Sequence, residues 1–297
     1  MIVSTLNLFL VCVVIWGTTW FAITLQLGSV APEMSIGYRF LIASSVLFAF
    51  CRWKGLPLSF TLGQHRDLLL LGLGMFCLGY IFVYYAEIYI VSGMVAVGYS
   101  AGPMVNMFTE RILFRTPITR RVAIAALMGI GGICCVFWPE FGALSASRNV
   151  ALGALLTVLG VLASSAGSMA VLRCQARGYS TWTSMTWGMF YGGVLSLAVG
   201  LATGKPFAFQ ATAGYVLSLL YLALFGSIVT FACYLTLIER IGAARAAYVG
   251  VMVPLVALAV SYFLEKFAWS TLTTIGVLLS IAGNVVVLRP GGRATVG

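Results

Sequence analysis

Residues 80–89 read Tyr-Ile-Phe-Val-Tyr-Tyr-Ala-Glu-Ile-Tyr, four tyrosines and a glutamate at the end of an aliphatic run. Helical spacing puts Tyr80, Tyr84 and Glu87 on one face, at i, i+4 and i+7. Such a face offers rings, hydroxyls and a carboxylate to a solute. Comparable groups recur inside other apolar runs: Trp16 and Trp20 beside Thr19, Tyr99 beside Ser100, Trp187 with Tyr191, and Tyr248. Aromatic rings with a few hydroxyls suit a partly apolar small molecule, such as an aromatic or large aliphatic amino acid. Ionisable residues are costly inside such runs, so each is a candidate for function. Arg39 is either a structural anchor or a site for a substrate carboxylate. Glu87 is placed to pair with Arg39, to cap an outer gate or to bind an amino group. Glu110, beside Arg111, lies toward the end of its run and reads as a gating or anchoring residue.

Covalent chemistry is poorly provided for. The single histidine, His65, lies in a polar connection and reads as a solvated loop residue. That removes histidine-based triads, haem ligation and the usual zinc sites. Neither paired carboxylates within the apolar runs nor a phosphate-cradling Gly-x-x-x-x-Gly-Lys loop is present. The seven cysteines have no Cys-x-x-Cys spacing and read as reduced packing residues. The chain is therefore expected not to be an enzyme and to use no metal or cofactor.

What must position these residues is a membrane bundle. Of 297 residues, 61% are hydrophobic and 8% charged, whereas a soluble domain carries roughly 25% charged residues. A spanning helix needs about 20 mainly apolar residues. Ten segments qualify: 4–27, 34–51, 67–90, 92–114, 119–138, 149–174, 180–203, 211–237, 242–264 and 269–288. The expected fold is an all-α integral membrane protein of ten transmembrane helices. The first run has no basic leader or small-residue cleavage site before it and reads as a retained span.

Lys and Arg gather in alternate connections; the others hold only Arg148, Lys205 and Lys266. Basic loops stay on the cytoplasmic side, so both termini are expected there. The net charge of +10 is thus a topology signal, and nucleic acid is not an expected partner. The expected partners are the lipid bilayer and a small-molecule substrate, with the chain acting as a monomer. In this topology the third span ends outside near Ile90. Tyr85 and Tyr89 then serve as an outer anchor, whereas Tyr80 lies about 15 Å deep by helical rise.

The sequence also repeats. Residues 102–139 align without a gap to 253–290 at an offset of 151, matching Pro103 with Pro254, Gly132 with Gly283 and Pro139 with Pro290. The repeat unit is then five helices: a first copy in 1–139, a connection in 140–148 and a second copy in 149–297. An odd number of crossings inverts the second copy, and inverted repeats are a transporter signature. Pro103 and Pro254 each fall well inside a span and are expected to bend it. Gly98, Gly102 and Gly250 lie just upstream, where the backbone flexes most easily.

The stretch WGTTWFA (16–22), the YRF at 38–40, the prolines of the fourth and ninth spans and FLEKF (263–267) together resemble the drug/metabolite transporter superfamily in its EamA-type, ten-helix form. In the first copy the position equivalent to Glu265 is Phe114, and the acidic residue is Glu110. The resemblance implies an inner-membrane carrier that exports small metabolites, amino acids among them. No Asp, Glu or His lies near the expected midplane, which favours transport without proton coupling over proton antiport. Multidrug efflux of lipophilic cations is an alternative that needs a cavity carboxylate, for which only Glu87 is near enough. A membrane-embedded enzyme or a non-transporting scaffold is the reading from another class.

Overall fold

In the computed structural model, residues 4–114, 120–141, 147–241, 246 and 248–288 are described. Local sequence fixes where the helices begin. Ser4 accepts a hydrogen bond from the Asn7 amide and starts α1 (Thr5–Thr24). Pro32, whose missing N–H costs nothing in a first turn, opens α2 (Pro32–Trp53). Thr61 and Gln64 form a reciprocal capping box that starts α3 (Leu62–Glu87).

The chain continues through α4 (Ser92–Tyr99), α5 (Gly102–Phe114), α6 (Arg120–Phe141), α7 (Ser147–Ala176) and α8 (Thr181–Ala202). Next comes α9, which runs as Ala213–Leu220, Tyr221–Val229 and Thr230–Ile241. It is followed by α10 (Tyr248–Leu264) and α11 (Thr271–Leu288). Among the described residues six helices are long and apolar enough to cross a membrane: α1, α2, α3, α7, α8 and α9. Shorter apolar helices cover Ala123–Pro139, Tyr248–Leu264 and Thr271–Val286.

Two departures from regular helix matter for the interior. First, α3 and α9 each contain a π-helical stretch, Gly72–Leu78 and Tyr221–Val229. There the backbone reaches five residues back, so Gly79 N–H bonds the carbonyl of Gly74 and Thr230 N–H that of Phe225. Second, the segment expected to run unbroken over 92–114 is two helices, interrupted at Ser100–Ala101 with Pro103 in the first turn of α5. Pro254, by contrast, stays within α10.

The helices pack by close backbone approach. α6 lies along α11, α2 along α8, α1 against α9 and α10, and α7 against α3, α4 and α5. A Cβ on Gly132 would meet the Gly276 carbonyl, and one on Gly283 would meet the Ala125 carbonyl. These contacts exchange under the 151-residue offset, which carries 125 to 276 and 132 to 283. Small residues let helices approach this closely inside a bilayer, where dispersion rather than water expulsion holds them together. Valine at Gly132 should therefore force α6 off α11 and cost about 1–3 kcal/mol. A lowered melting temperature in detergent checks this, and an unchanged one excludes the close approach.

Candidate functional site

A cavity of about 270 Å³ opens between α1, α2, α3, α4, α7, α9 and α10. Trp16, Thr19 and Trp20 of α1 line one wall, with Tyr80 and Met75 of α3 and Tyr99 of α4 beside them. Ser164 of α7, Phe231 of α9, and Gly250 and Pro254 of α10 complete it. Both halves of the chain contribute.

The π-helical stretches explain how the lining residues are held. A π turn leaves carbonyls out of register with the usual donor, so they need partners from elsewhere. Trp16 Nε1 donates to the Gly226 carbonyl at 3.2 Å. Tyr99 OH donates to the carbonyl of Gly79, just past the α3 stretch, at 3.1 Å. These bonds fix two rings at the cavity wall. Trp20 meets Tyr99 edge-on with centroids 5.2 Å apart, and Trp16 meets Phe231 edge-on at 5.2 Å.

Arg39 is the only charged side chain lining the cavity among the described residues. It is 2% exposed. Its guanidinium sits 4.6 Å from the Tyr80 ring centroid and 5.0 Å from that of Phe40. Nε donates to Ser227 Oγ at 3.3 Å and Nη2 to Tyr80 OH at 3.4 Å. Ser227 belongs to the π-helical stretch of α9, and its own hydroxyl donates to the Leu222 carbonyl. Nη1 is buried and makes no hydrogen bond.

The other candidates fall in three places. Tyr84 is fully buried, and its hydroxyl donates to Gln26 Oε1 at 2.6 Å, so it ties α3 to the connection after α1 and does not line the cavity. Tyr85, expected at the outer surface, donates to Glu33 Oε1 at 2.9 Å and ties α3 to α2. Glu87 is 8% exposed, with neither carboxylate oxygen hydrogen-bonded, and lies outside the cavity lining. It forms no ion pair with Arg39.

Trp187 and Tyr191 stack on each other outside the lining of this cavity, around His65. The expectation of a solvated loop histidine is corrected here. His65 lies in the first turns of α3, half-buried, with Nδ1 2.9 Å from Tyr191 OH and its ring 4.7 Å from that of Trp187. Trp187 donates to the Leu58 carbonyl, so the cluster clamps the α2–α3 connection. Tyr248 opens α10 half-buried and does not line the cavity.

Gly102 and Pro103 line a neighbouring space of about 180 Å³ with Asn106, which shares Tyr99 and Ser164 with the main cavity. Gly98 lines a separate apolar cavity of about 350 Å³ with Ile130 and Phe137. Gly250 and Pro254 face the main cavity together. Proline at 254 removes the N–H that would bond the Gly250 carbonyl one turn earlier. Glu110 falls within α5, but its side chain is outside the described residues.

Among the contributors that escaped the sequence reading are Met75, Ser164, Ser227 and Phe231. The available signal was polar residues within apolar runs, Ser227 and Thr230 in α9 and Ser164 among the small residues of α7. Glu265 also acquires a definite place. Its carboxylate accepts from the Ser92 amide at 3.1 Å and the Ser92 hydroxyl at 2.5 Å, and it bonds the Ser261 hydroxyl. Ser261 in turn accepts from the Gly93 amide at 2.8 Å. The residue before α4, Val91, has no side chain to cap the helix. α10 therefore caps α4 in trans, with a carboxylate at its positive end.

The EamA-like transporter family matches residues 4–138 and again residues 151–289. The chain belongs to this family. Among similar proteins, protein PagO of Salmonella typhimurium is 23% identical, covering 96% of this chain and 93% of PagO. The uncharacterized inner membrane transporter YedA of Escherichia coli is 30% identical, covering 82% of this chain and 77% of YedA. Protein PecM of Dickeya dadantii is 25% identical, covering 92% and 88%. One solved crystal structure superposes with a TM-score of 0.67 at 17% identity over 96% of each chain, a likeness of fold. This EamA chain is a membrane transporter and a multi-pass protein of the bacterial inner membrane.

Position separates the aromatic residues into two groups that mutation can tell apart. Trp20→Ala or Tyr80→Ala should lower transport by about tenfold or more, the loss expected for a buried contact worth over 1.4 kcal/mol. Trp187→Ala should leave the initial rate within about twofold in protein that still folds. Equal losses from all three, measured as initial rates in vesicles, would remove the distinction.

Proposed function

We propose that this chain exports small metabolites, aromatic or large neutral amino acids among them, from a central aromatic cavity by alternating access. The observation that carries this reading is the cavity itself, an aromatic-walled space with few hydroxyls built from both halves of the chain. In this reading ten spans form two inverted five-helix repeats with both termini cytoplasmic, acting as a monomer. The double family match, the π-helical stretch in both α3 and α9, and the exchangeable contacts at Gly132 and Gly283 support the repeat. Halves related in this way can rock about a site held between them.

Transport proceeds without direct proton coupling, since no carboxylate or histidine lines the cavity among the described residues. The same fact weighs against lipophilic-cation efflux, because Glu87, the carboxylate that reading needs, lies outside the lining. Proton antiport would have to act through Glu87 from there. The trans-cap from Glu265 to Ser92 closes α10 against α4 on the outer side of the proposed topology, next to the cavity wall formed by Ala96 and Tyr99.

Purified protein in liposomes preloaded with labelled leucine or phenylalanine should release it with no proton gradient, and a protonophore should leave the initial rate unchanged. Release that requires a gradient would overturn the uncoupled mechanism. Glu265→Ala should speed or derange release and lower the melting temperature, because α4 loses a cap worth about 1 kcal/mol. Wild-type rates and stability in that variant would show the cap to be incidental.

A further inference from the structure

We propose that the central cavity recognises its solute by a carboxylate, with Arg39 as the anchor, so that its substrates are small organic anions or zwitterions with an apolar body. This rests on the cavity being the transport site. The argument begins with charge. A guanidinium sunk in an apolar bundle is costly unless paired, and Arg39 meets only neutral hydroxyls, those of Ser227 and Tyr80 at 3.3 and 3.4 Å with that of Tyr84 beside them. None of these neutralises it. Glu87 is an acid within electrostatic range of Arg39 and of Glu265. Yet both Glu87 oxygens are buried without a hydrogen bond, so this carboxylate attracts Arg39 from a distance and occupies none of its N–H groups.

Geometry then selects the ligand. Stacking on Tyr80 and Phe40 fixes the plane of the guanidinium, and Nη1 is left buried with no acceptor beside a cavity that Arg39 lines. A planar fork held this way matches a carboxylate better than a point charge does. Away from Arg39 the cavity turns aromatic and apolar, at Trp16, Trp20 and Phe231. An amino group finds no charge there. The lining offers it only neutral hydroxyls, at Thr19, Ser100 and Ser164, so it is accommodated and not required. At about 270 Å³ the space is at the small end of ligand sites, suited to molecules near the size of an amino acid.

The test is calorimetry on the purified protein with three matched probes: 4-methylpentanoate, 4-methylpentanamide and 3-methylbutylamine. The acid should bind, the amide about tenfold more weakly or worse, and the amine most weakly. Arg39→Gln should erase the preference of acid over amide, and Arg39→Lys should weaken the acid while keeping some preference. Equal binding of acid and amide, best binding by the amine, no binding of the acid, or a preference that survives Arg39→Gln would each overturn the proposal. The comparison of probes on the unaltered protein stands even where Arg39→Gln does not fold. Flux from vesicles separates this proposal from the carrier reading. Arg39-dependent binding of the acid without its release would sink the carrier and leave the anion site. Amide released as fast as acid would sink the anion site and leave the carrier.

Discussion

A positive charge cannot be stored in the apolar middle of a helix bundle without a shell of partners, and much of this structure is the shell around Arg39. Two aromatic faces, a phenol and a serine hydroxyl surround the guanidinium. Each comes from a different constraint. Phe40 follows Arg39 on α2, Tyr80 stands just beyond the π-helical stretch of α3, and Ser227 lies inside that of α9. A regular helix over 72–78 or 221–229 would turn the following residues to another face. The two irregular stretches are thus what brings a phenol and a hydroxyl to one guanidinium.

The same irregularity creates needs that other helices meet. Carbonyls freed by a π turn must be satisfied in a medium without water, and Trp16 satisfies Gly226, whose usual donor Thr230 N–H is spent on Phe225. Recognition and folding are therefore carried by the same side chains. Replacing Trp16 removes a wall of the cavity and orphans the Gly226 carbonyl as well. Glu265 solves the corresponding problem at a helix start, supplying α4 with the cap that Val91 cannot. In each case a backbone group of one element is closed by a side chain of another, which makes the arrangement cooperative.

How far this was legible in the sequence differs by residue. The run of apolar segments and the 151-residue offset follow from hydropathy and spacing, and helices lie over those segments. Tyr80 was legible because its depth, about ten residues from the helix end, excludes a belt role. Tyr84 shares its face and was misjudged as a lining residue. Helical phase says which way a side chain points but not what fills the space there, and Gln26, inside the expected first span of 4–27, falls in the turn after α1 ends at Thr24. Trp187 has the right chemistry at the wrong depth: it is six residues past the start of α8, about 9 Å by helical rise. His65 was misplaced for a related reason, since the capping box of Thr61 and Gln64 starts α3 before it. The π-helical stretches have no composition signal, so Ser227 was invisible as a partner of Arg39.

One consequence concerns how occupancy and motion can be linked. A solute shifts a conformational equilibrium only by the difference in its affinity for the two states. Arg39 and Tyr80 belong to the first half of the chain and Ser227 to the second, so relative movement of the halves alters the shell of the guanidinium. Trp16 and Gly226 are split in the same way. On the proposed reading, a carboxylate bound at Arg39 replaces charge stabilisation that movement would otherwise remove. Loaded and empty carriers then face different barriers, and the difference arises at a single side chain.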